Sequence, residues 1–154
     1  MFRGRFENSI DQKGRIQLPQ ALRSNASKSS FFVTNSIYRK LPYLEIYTSS
    51  QWLKLEKKIS RLPKFNRAVQ DYTRFFLSGA FEVKLDGNNR LLVPSTLRKY
   101  AGLESQTVCV GAGDHLELWS DSNWQSIHNM ITDNFNDALQ ELSQLEADFL
   151  KDVG

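Results

Sequence analysis

Asp11-Gln12-Lys13-Gly14-Arg15-Ile16-Gln17-Leu18-Pro19-Gln20-Ala21-Leu22-Arg23 is written a second time as Asp86-Gly87-Asn88-Asn89-Arg90-Leu91-Leu92-Val93-Pro94-Ser95-Thr96-Leu97-Arg98, 75 positions later. Asp, the first Arg, Pro, Leu and the final Arg recur in register. A second echo follows each copy: Leu44-Glu45-Ile46-Tyr47 with Trp52 returns as Leu116-Glu117-Leu118-Trp119 with Trp124, at an offset of 72. Two echoes at nearly one period mean one structural unit present twice. The expectation is a single domain with a pseudo-dyad, presenting two similar surface loops.

Within each copy the pattern alternates strand and turn. Phe2 to Ile10 reads as a strand, with Phe6-Glu7 answered by Phe81-Glu82. The motif itself is a polar turn, rich in residues that tolerate positive φ: Gly14 in one copy, Gly87, Asn88 and Asn89 in the other. Ile16-Gln17-Leu18 and Leu91-Leu92-Val93 resume a strand, which Pro19 and Pro94 stop. Proline suits a first helical position, so short helices are expected over Pro19–Arg23 and Pro94–Tyr100. Phe31–Val33, Thr107–Val110, Leu44–Tyr47 and Leu116–Trp119 complete the strands.

Helices follow each unit. Ser49 or Ser50 is the expected cap of a helix whose Trp52, Leu55, Ile59 and Leu62 share one face, with Lys54, Lys57, Lys58 and Arg61 on another. Pro63 ends it, and Phe65, Ala68, Val69, Tyr72 and Phe76 form a second apolar stripe. The C-terminal segment carries Trp124, Ile127, Ile131, Phe135, Leu139, Leu142, Leu145 and Phe149 at amphipathic spacing, opposite acids at Asp133, Asp137, Glu141 and Asp148. These stripes are expected to be packing faces. Part of the last one is alternatively an intersubunit surface.

The net charge of +3 hides a segregation. Residues 1–113 hold 19 Lys and Arg against 8 Asp and Glu, whereas residues 114–154 hold one Lys against nine acids. The basic part suits a polyanion, and the acidic tail suits solubility or a basic neighbour. The lone Cys109 lies in an apolar strand, which fits a reducing interior. Met1-Phe2-Arg3-Gly4-Arg5 leads directly into patterned strand, so no signal peptide is expected, and no apolar run reaches a membrane span. A cytoplasmic protein without membrane association is the expectation.

Catalytic chemistry finds little support. His115 and His128 have no second His or Cys at metal-ligand spacing, Cys109 is in the wrong setting for a nucleophile, and no phosphate-binding glycine loop occurs. No cofactor, metal or catalytic residue is expected. The repeated Asp-x-x-x-Arg remains. In one reading it is structural: Asp11 and Asp86 accept backbone N–H groups of their own turns, and the Arg pairs with that carboxylate. In the other, the Asp still braces the loop, while Arg15 and Arg90 point outward to grip guanine O6 and N7 or a phosphate. Lys13 would add a phosphate contact, among a crowd of Arg3, Arg5, Arg23 and Lys28.

These residues resemble the MraZ family of bacterial transcriptional regulators over essentially the whole chain. The matching segments are Met1-Phe2-Arg3-Gly4, Asp11-Gln12-Lys13-Gly14-Arg15 with Pro19, and Phe76-Leu77-Ser78-Gly79-Ala80. Asp86, Arg90-Leu91-Leu92-Val93-Pro94, Ala101-Gly102-Leu103-Glu104, Val110-Gly111 and Leu116-Glu117-Leu118-Trp119 follow in order. The resemblance implies an α+β, tandem-repeat AbrB-like swapped-hairpin β-barrel with flanking amphipathic helices. The repeats would be 1–49 and 80–121, with a helical connection over 50–79 packed on the barrel and an acidic amphipathic segment over 122–154. It further implies a repressor that binds direct, G-rich repeats in double-stranded DNA upstream of its own division and cell-wall operon. Ring-shaped homo-oligomers and nucleoid association belong to the same expectation. DNA binding maps onto Arg15, Arg90, Lys13, Arg3, Arg5 and Asn88, and loop bracing onto Asp11, Asp86, Gly14 and Asn89. Two departures stand out: Asn89 where the family usually has Gly, and Asn88 in place of a second Lys13, so the first loop is expected to contribute more affinity. The rival reading is an oligomeric interaction scaffold with sequence-blind nucleic-acid binding; an enzyme on a related double-psi barrel is a third.

Overall fold

The structure, a computed structural model, describes residues 1–20 and 30–153. The helix expected to continue past Pro19, with Arg23 and Lys28, lies outside the described residues.

Among the described residues there are eight strands: β1 (Arg5–Ser9), β2 (Arg15–Gln17), β3 (Phe31–Tyr38), β4 (Leu41–Thr48), β5 (Phe81–Val83), β6 (Arg90–Leu92), β7 (Gln106–Gly111) and β8 (Leu116–Ser120). Six form an antiparallel sheet in the order β1-β7-β8-β4-β3-β5, and β2 pairs with β6 as a separate ribbon. The order reads the same from both ends once the repeats are superposed. β1 of the first repeat adds to β7 of the second, and β5 of the second adds to β3 of the first. The two repeats therefore exchange their first strands, which is the swapped arrangement. The hydrogen-bonded ladder is open at β1 and β5 rather than closed into a barrel.

The pseudo-dyad runs through two residue pairs. Ile16 pairs with Leu91 in the ribbon, and Glu45 pairs with Glu117 between β4 and β8. In each pair the partners are also repeat equivalents. Because side chains alternate across a strand, the dyad separates two environments. On the inner face Leu44, Ile46, Leu116 and Leu118 pack against Ile16 and Leu91 of the ribbon, all nearly or fully buried. On the outer face Tyr43, Glu45 and Tyr47 alternate with them.

Helices cover that outer face. Helix α1 (Ser49–Ser60) delivers Trp52 against Tyr47 and Phe76, and α4 (Asp121–Asp133) delivers Ile127 and Trp124 against Trp119 and Tyr43. Truncating an enclosed ring such as Trp52 to Ala costs about 3–5 kcal/mol in comparable cores. Thr48 Oγ1 caps α1 by accepting from Gln51 N, and Ser120 Oγ caps α4 by accepting from Asn123 N. The cap of α1 is thus one residue earlier than expected, because the strand runs straight into the helix and Thr48 is the last extended residue. Helix α2 (Arg67–Tyr72) continues into a π-helical turn at Thr73–Leu77, whose Phe75 and Phe76 carbonyls accept from Asn35 Nδ2 and Thr34 Oγ1 of β3. Helix α3 (Ser95–Ala101) follows Pro94 and ends at Gly102, which takes the left-handed conformation at φ 66°.

The C-terminal segment departs from expectation. It is two helices, α4 and α5 (Phe135–Val153), separated at Asn134. Ile127 of α4 is buried, but Phe135, Leu139, Leu142, Leu145 and Phe149 of α5 are all exposed. Within this chain the α5 stripe is not a packing face. Cys109 is fully buried, and burial pushes its thiol up to about 12. Among the described residues no helix is long and apolar enough to cross a membrane.

Candidate nucleic-acid interface

The two Asp-x-x-x-Arg loops match hydrogen bond for hydrogen bond. Asp11 Oδ1 accepts from Lys13 N at 3.0 Å and Arg15 N at 2.9 Å; Asp86 Oδ1 accepts from Asn88 N at 2.8 Å and Arg90 N at 2.9 Å. Gly14 N and Asn89 N donate to the carbonyls of Asp11 and Asp86 at 2.9 and 3.0 Å. These closures need the left-handed region, occupied by Gly14 at φ 90° and Asn89 at φ 59°. Asparagine is among the few residues with a side chain that adopt it readily, so the second loop closes without glycine at the position of Gly14.

Each carboxylate also holds its arginine. Arg15 Nε donates to Asp11 Oδ2 at 2.8 Å and Arg90 Nε to Asp86 Oδ2 at 3.0 Å. The backbone hydrogen bonds from Arg15 and Arg90 are the main reason both carboxyls sit below their ordinary range, opposed by some desolvation and helped by the guanidinium. The two readings of the Arg are compatible in this geometry. Nε faces the Asp, while among the described residues no hydrogen bond engages Nη1 or Nη2 of either Arg. A guanidinium has five donors, so the terminal fork stays open for a bidentate acceptor.

The β2–β6 ribbon brings the loops together. In its register Arg15 opposes Leu92 and Gln17 opposes Arg90. With Ile16 and Leu91 turned into the core, alternation puts Arg15, Gln17, Arg90 and Leu92 on the outward face. One loop enters the ribbon at each end, and Gln17 Nε2 donates to Asn88 O at 3.4 Å. Lys13 and Asn88 are exposed at the corresponding place in each loop.

Arg3 precedes β1 and Arg5 begins it. The Arg5 guanidinium lies over the Trp124 ring at 6.0 Å, and the Arg3 backbone packs against Gly111. Arg5 also lines a groove with Gln17 of β2.

One basic residue beside the first loop escaped the sequence reading. Arg98 of α3 lays its guanidinium beside Gly14: a Cβ on Gly14 would lie 2.4 Å from Arg98 Cζ. Arg98 Nε is buried and without a hydrogen-bond partner among the described residues. The second repeat's helix therefore backs the first repeat's loop, alongside the Val93 N to Gly14 O hydrogen bond at 2.8 Å. The signal was present, since Arg98 is the last residue of the repeated phrase.

Comparison with known proteins agrees with the doubled architecture. The family model described as "MraZ protein, putative antitoxin-like" matches twice, over residues 1–75 and 76–145. The chain is 34% identical over 142 residues to the transcriptional regulator MraZ of Leuconostoc citreum, covering 92% of this chain and 96% of that one. It is 31% identical over 145 residues to the transcriptional regulator MraZ of Alkaliphilus oremlandii, covering 94% and 99%. With the transcriptional regulator MraZ of Natranaerobius thermophilus it shares 33% over 142 residues, covering 92% and 96%.

Proposed function

The chain belongs to the MraZ family, and on that premise we propose that it is a non-enzymatic, sequence-specific DNA-binding transcriptional regulator acting as a repressor. Its targets are direct, G-rich repeats upstream of its own division and cell-wall operon. The observation that carries the reading is the ribbon face: two arginines, each held through Nε by its own loop's carboxylate and with no hydrogen bond to Nη1 or Nη2 among the described residues, on one two-stranded element. A two-stranded ribbon fits the B-DNA major groove, and a bidentate Arg matches guanine O6 and N7.

Roles follow from position. Arg15 and Arg90 read guanine, Asp11, Gly14, Asp86 and Asn89 hold the loops, and Lys13 neutralises phosphate. Asn88, uncharged at the equivalent place, makes the weaker backbone contact. Arg3 and Arg5, at the start of β1, strengthen the basic surface. The repeats are 1–49 and 80–121, one loop each, joined through 50–79, with 122–154 serving assembly. The protein works in the cytoplasm on the nucleoid.

Assembly into a ring is part of the proposal. Support comes from the exposed α5 stripe of Phe135, Leu139, Leu142, Leu145 and Phe149, and from the charge contrast between α5 and the basic face of α1. A head-to-tail ring repeats its loops in one sense, suiting direct repeats and adding avidity. Removing residues 135–154 is expected to leave a smaller species by analytical ultracentrifugation; unchanged assembly would place the interface elsewhere.

The function itself is tested by fluorescence-anisotropy binding to the upstream duplex and a scrambled one across a salt series. Preferential binding to the upstream duplex at every salt concentration supports the proposal. Equal, salt-sensitive binding to both would favour the interaction scaffold.

A further inference from the structure

We propose that Glu45, His115 and Glu117 form a Zn²⁺ site on the outer face of the sheet, at the pseudo-dyad between the two repeats. The site lies across the sheet from the Arg15–Arg90 ribbon.

Glu45 and Glu117 are directly opposite one another in the β4–β8 pair. Like charges so placed repel, and the Glu45 side chain is only 10% exposed, so water does little to screen them. His115 stands at the repeat equivalent of Tyr43, two residues before Glu117 and on the same face. Its Nε2 is 3.7 Å from Glu45 Oε1 and 3.8 Å from Glu117 Oε2, and it is buried with no hydrogen-bond partner among the described residues. The three candidate donor atoms all lie within 4.8 Å of one another.

The surroundings are those of a braced ligand set. His115 Nδ1 is 2.7 Å from Asp114 Oδ1. A carboxylate on one ring nitrogen keeps the proton there and turns the other nitrogen's lone pair to a metal. Tyr43 and Tyr47 hydroxyls donate to Glu45 Oε2 and Oε1 at 2.7 and 2.5 Å, and Trp119 Nε1 donates to Glu117 Oε1 at 3.0 Å, leaving Glu117 Oε2 free. His115 also stacks on Tyr47, with ring centroids 5.0 Å apart.

Geometry and charge select the ion. Bonds of about 2.0–2.2 Å in a tetrahedral site put ligand atoms roughly 3.3–3.5 Å apart, so the two His–Glu edges need contract by only a few tenths of an ångström. A dication neutralises the facing carboxylates. An imidazole among the donors favours Zn²⁺ over Mg²⁺ or Ca²⁺, which prefer oxygen cages. Three protein ligands leave a fourth position for water.

The test is isothermal titration of the full chain with ZnCl₂, together with imidazole ¹⁵N NMR. Expected are one Zn²⁺ per chain and a shift of the His115 Nε2 resonance while His128 stays in place. His115→Gln and Glu117→Gln should weaken binding at least 100-fold, Asp114→Asn about 10–100-fold, and His128→Gln not at all. The NMR arm uses the wild-type chain, so a misfolded variant leaves the test intact. No Zn²⁺ binding by wild type, or binding that leaves the His115 resonance unmoved, would overturn the site.

Discussion

Arg90 Nη1 lies 4.0 Å from Asp11 Oδ2, so the second loop's arginine reaches the first loop's carboxylate as well as its own Asp86. Asp11 thus faces two guanidinium groups across the ribbon. Each pair is roughly one-third exposed, so solvent screens it. Their value is orientation rather than stability.

The shared carboxylate predicts coupling between the loops. Asp11→Asn is expected to weaken binding to the upstream duplex two- to fivefold more than Asp86→Asn. In a double-mutant cycle, the effects of Asp11→Asn and Arg90→Ala should be non-additive. Additive effects, read by fluorescence anisotropy, would show that the loops act independently.

Acid tolerance follows from the same carboxylates. Asp11 and Asp86 are held below the ordinary 3.8 chiefly by the backbone N–H groups of Arg15 and Arg90. A folded value below the unfolded one contributes stability above about pH 4 and loses it as pH falls through the folded value. Carboxyl-detected NMR titration should find both groups still ionised at the pH where an unpaired Asp is half protonated.

The glycines of the two loops should behave differently. Gly14→Ala combines a φ of 90° with a Cβ 2.4 Å from Arg98 Cζ, whereas nothing lies within 4 Å of a Cβ at Gly87. Gly14→Ala is expected to cost about 1–3 kcal/mol and to abolish tight DNA binding. Gly87→Ala should leave both within error, as judged by chemical denaturation and anisotropy.

Strain at a second site is removable. The β3–β4 hairpin turns through Arg39 at φ 48° and Lys40 at φ 68°, two side-chain-bearing residues in the left-handed region. That two-residue turn favours Asn-Gly. Arg39→Asn with Lys40→Gly should raise unfolding stability by about 1 kcal/mol, seen as a higher denaturation midpoint at unchanged slope.

Local chemistry was legible in the residues themselves; the swapped pairing across the repeats came only from the family resemblance. Gly14 and Asn89 announced left-handed turns because few other residues accept that φ. Pro94 announced α3 because its ring fixes a helical φ and donates nothing. The offset of 75 displayed two loops. It carried no information on which strands pair, because β1 alternates identically whether it joins its own repeat or the other. The stacking of Arg98 on Gly14 and the meeting of Glu45 with His115 both follow from that pairing, so spacing along the chain missed them. The break at Asn134 was hidden because the apolar stripe continues across it, so periodicity alone reads the two helices as one.

The most direct measurement replaces both ribbon arginines by lysine. Arg15→Lys with Arg90→Lys keeps each charge but removes the planar fork, so the salt slope of binding should be unchanged. The preference for the upstream over the scrambled duplex should fall about 5- to 100-fold for each bidentate Arg–guanine pair removed. A preference that survives in the double-lysine variant would contradict guanine reading by Arg15 and Arg90.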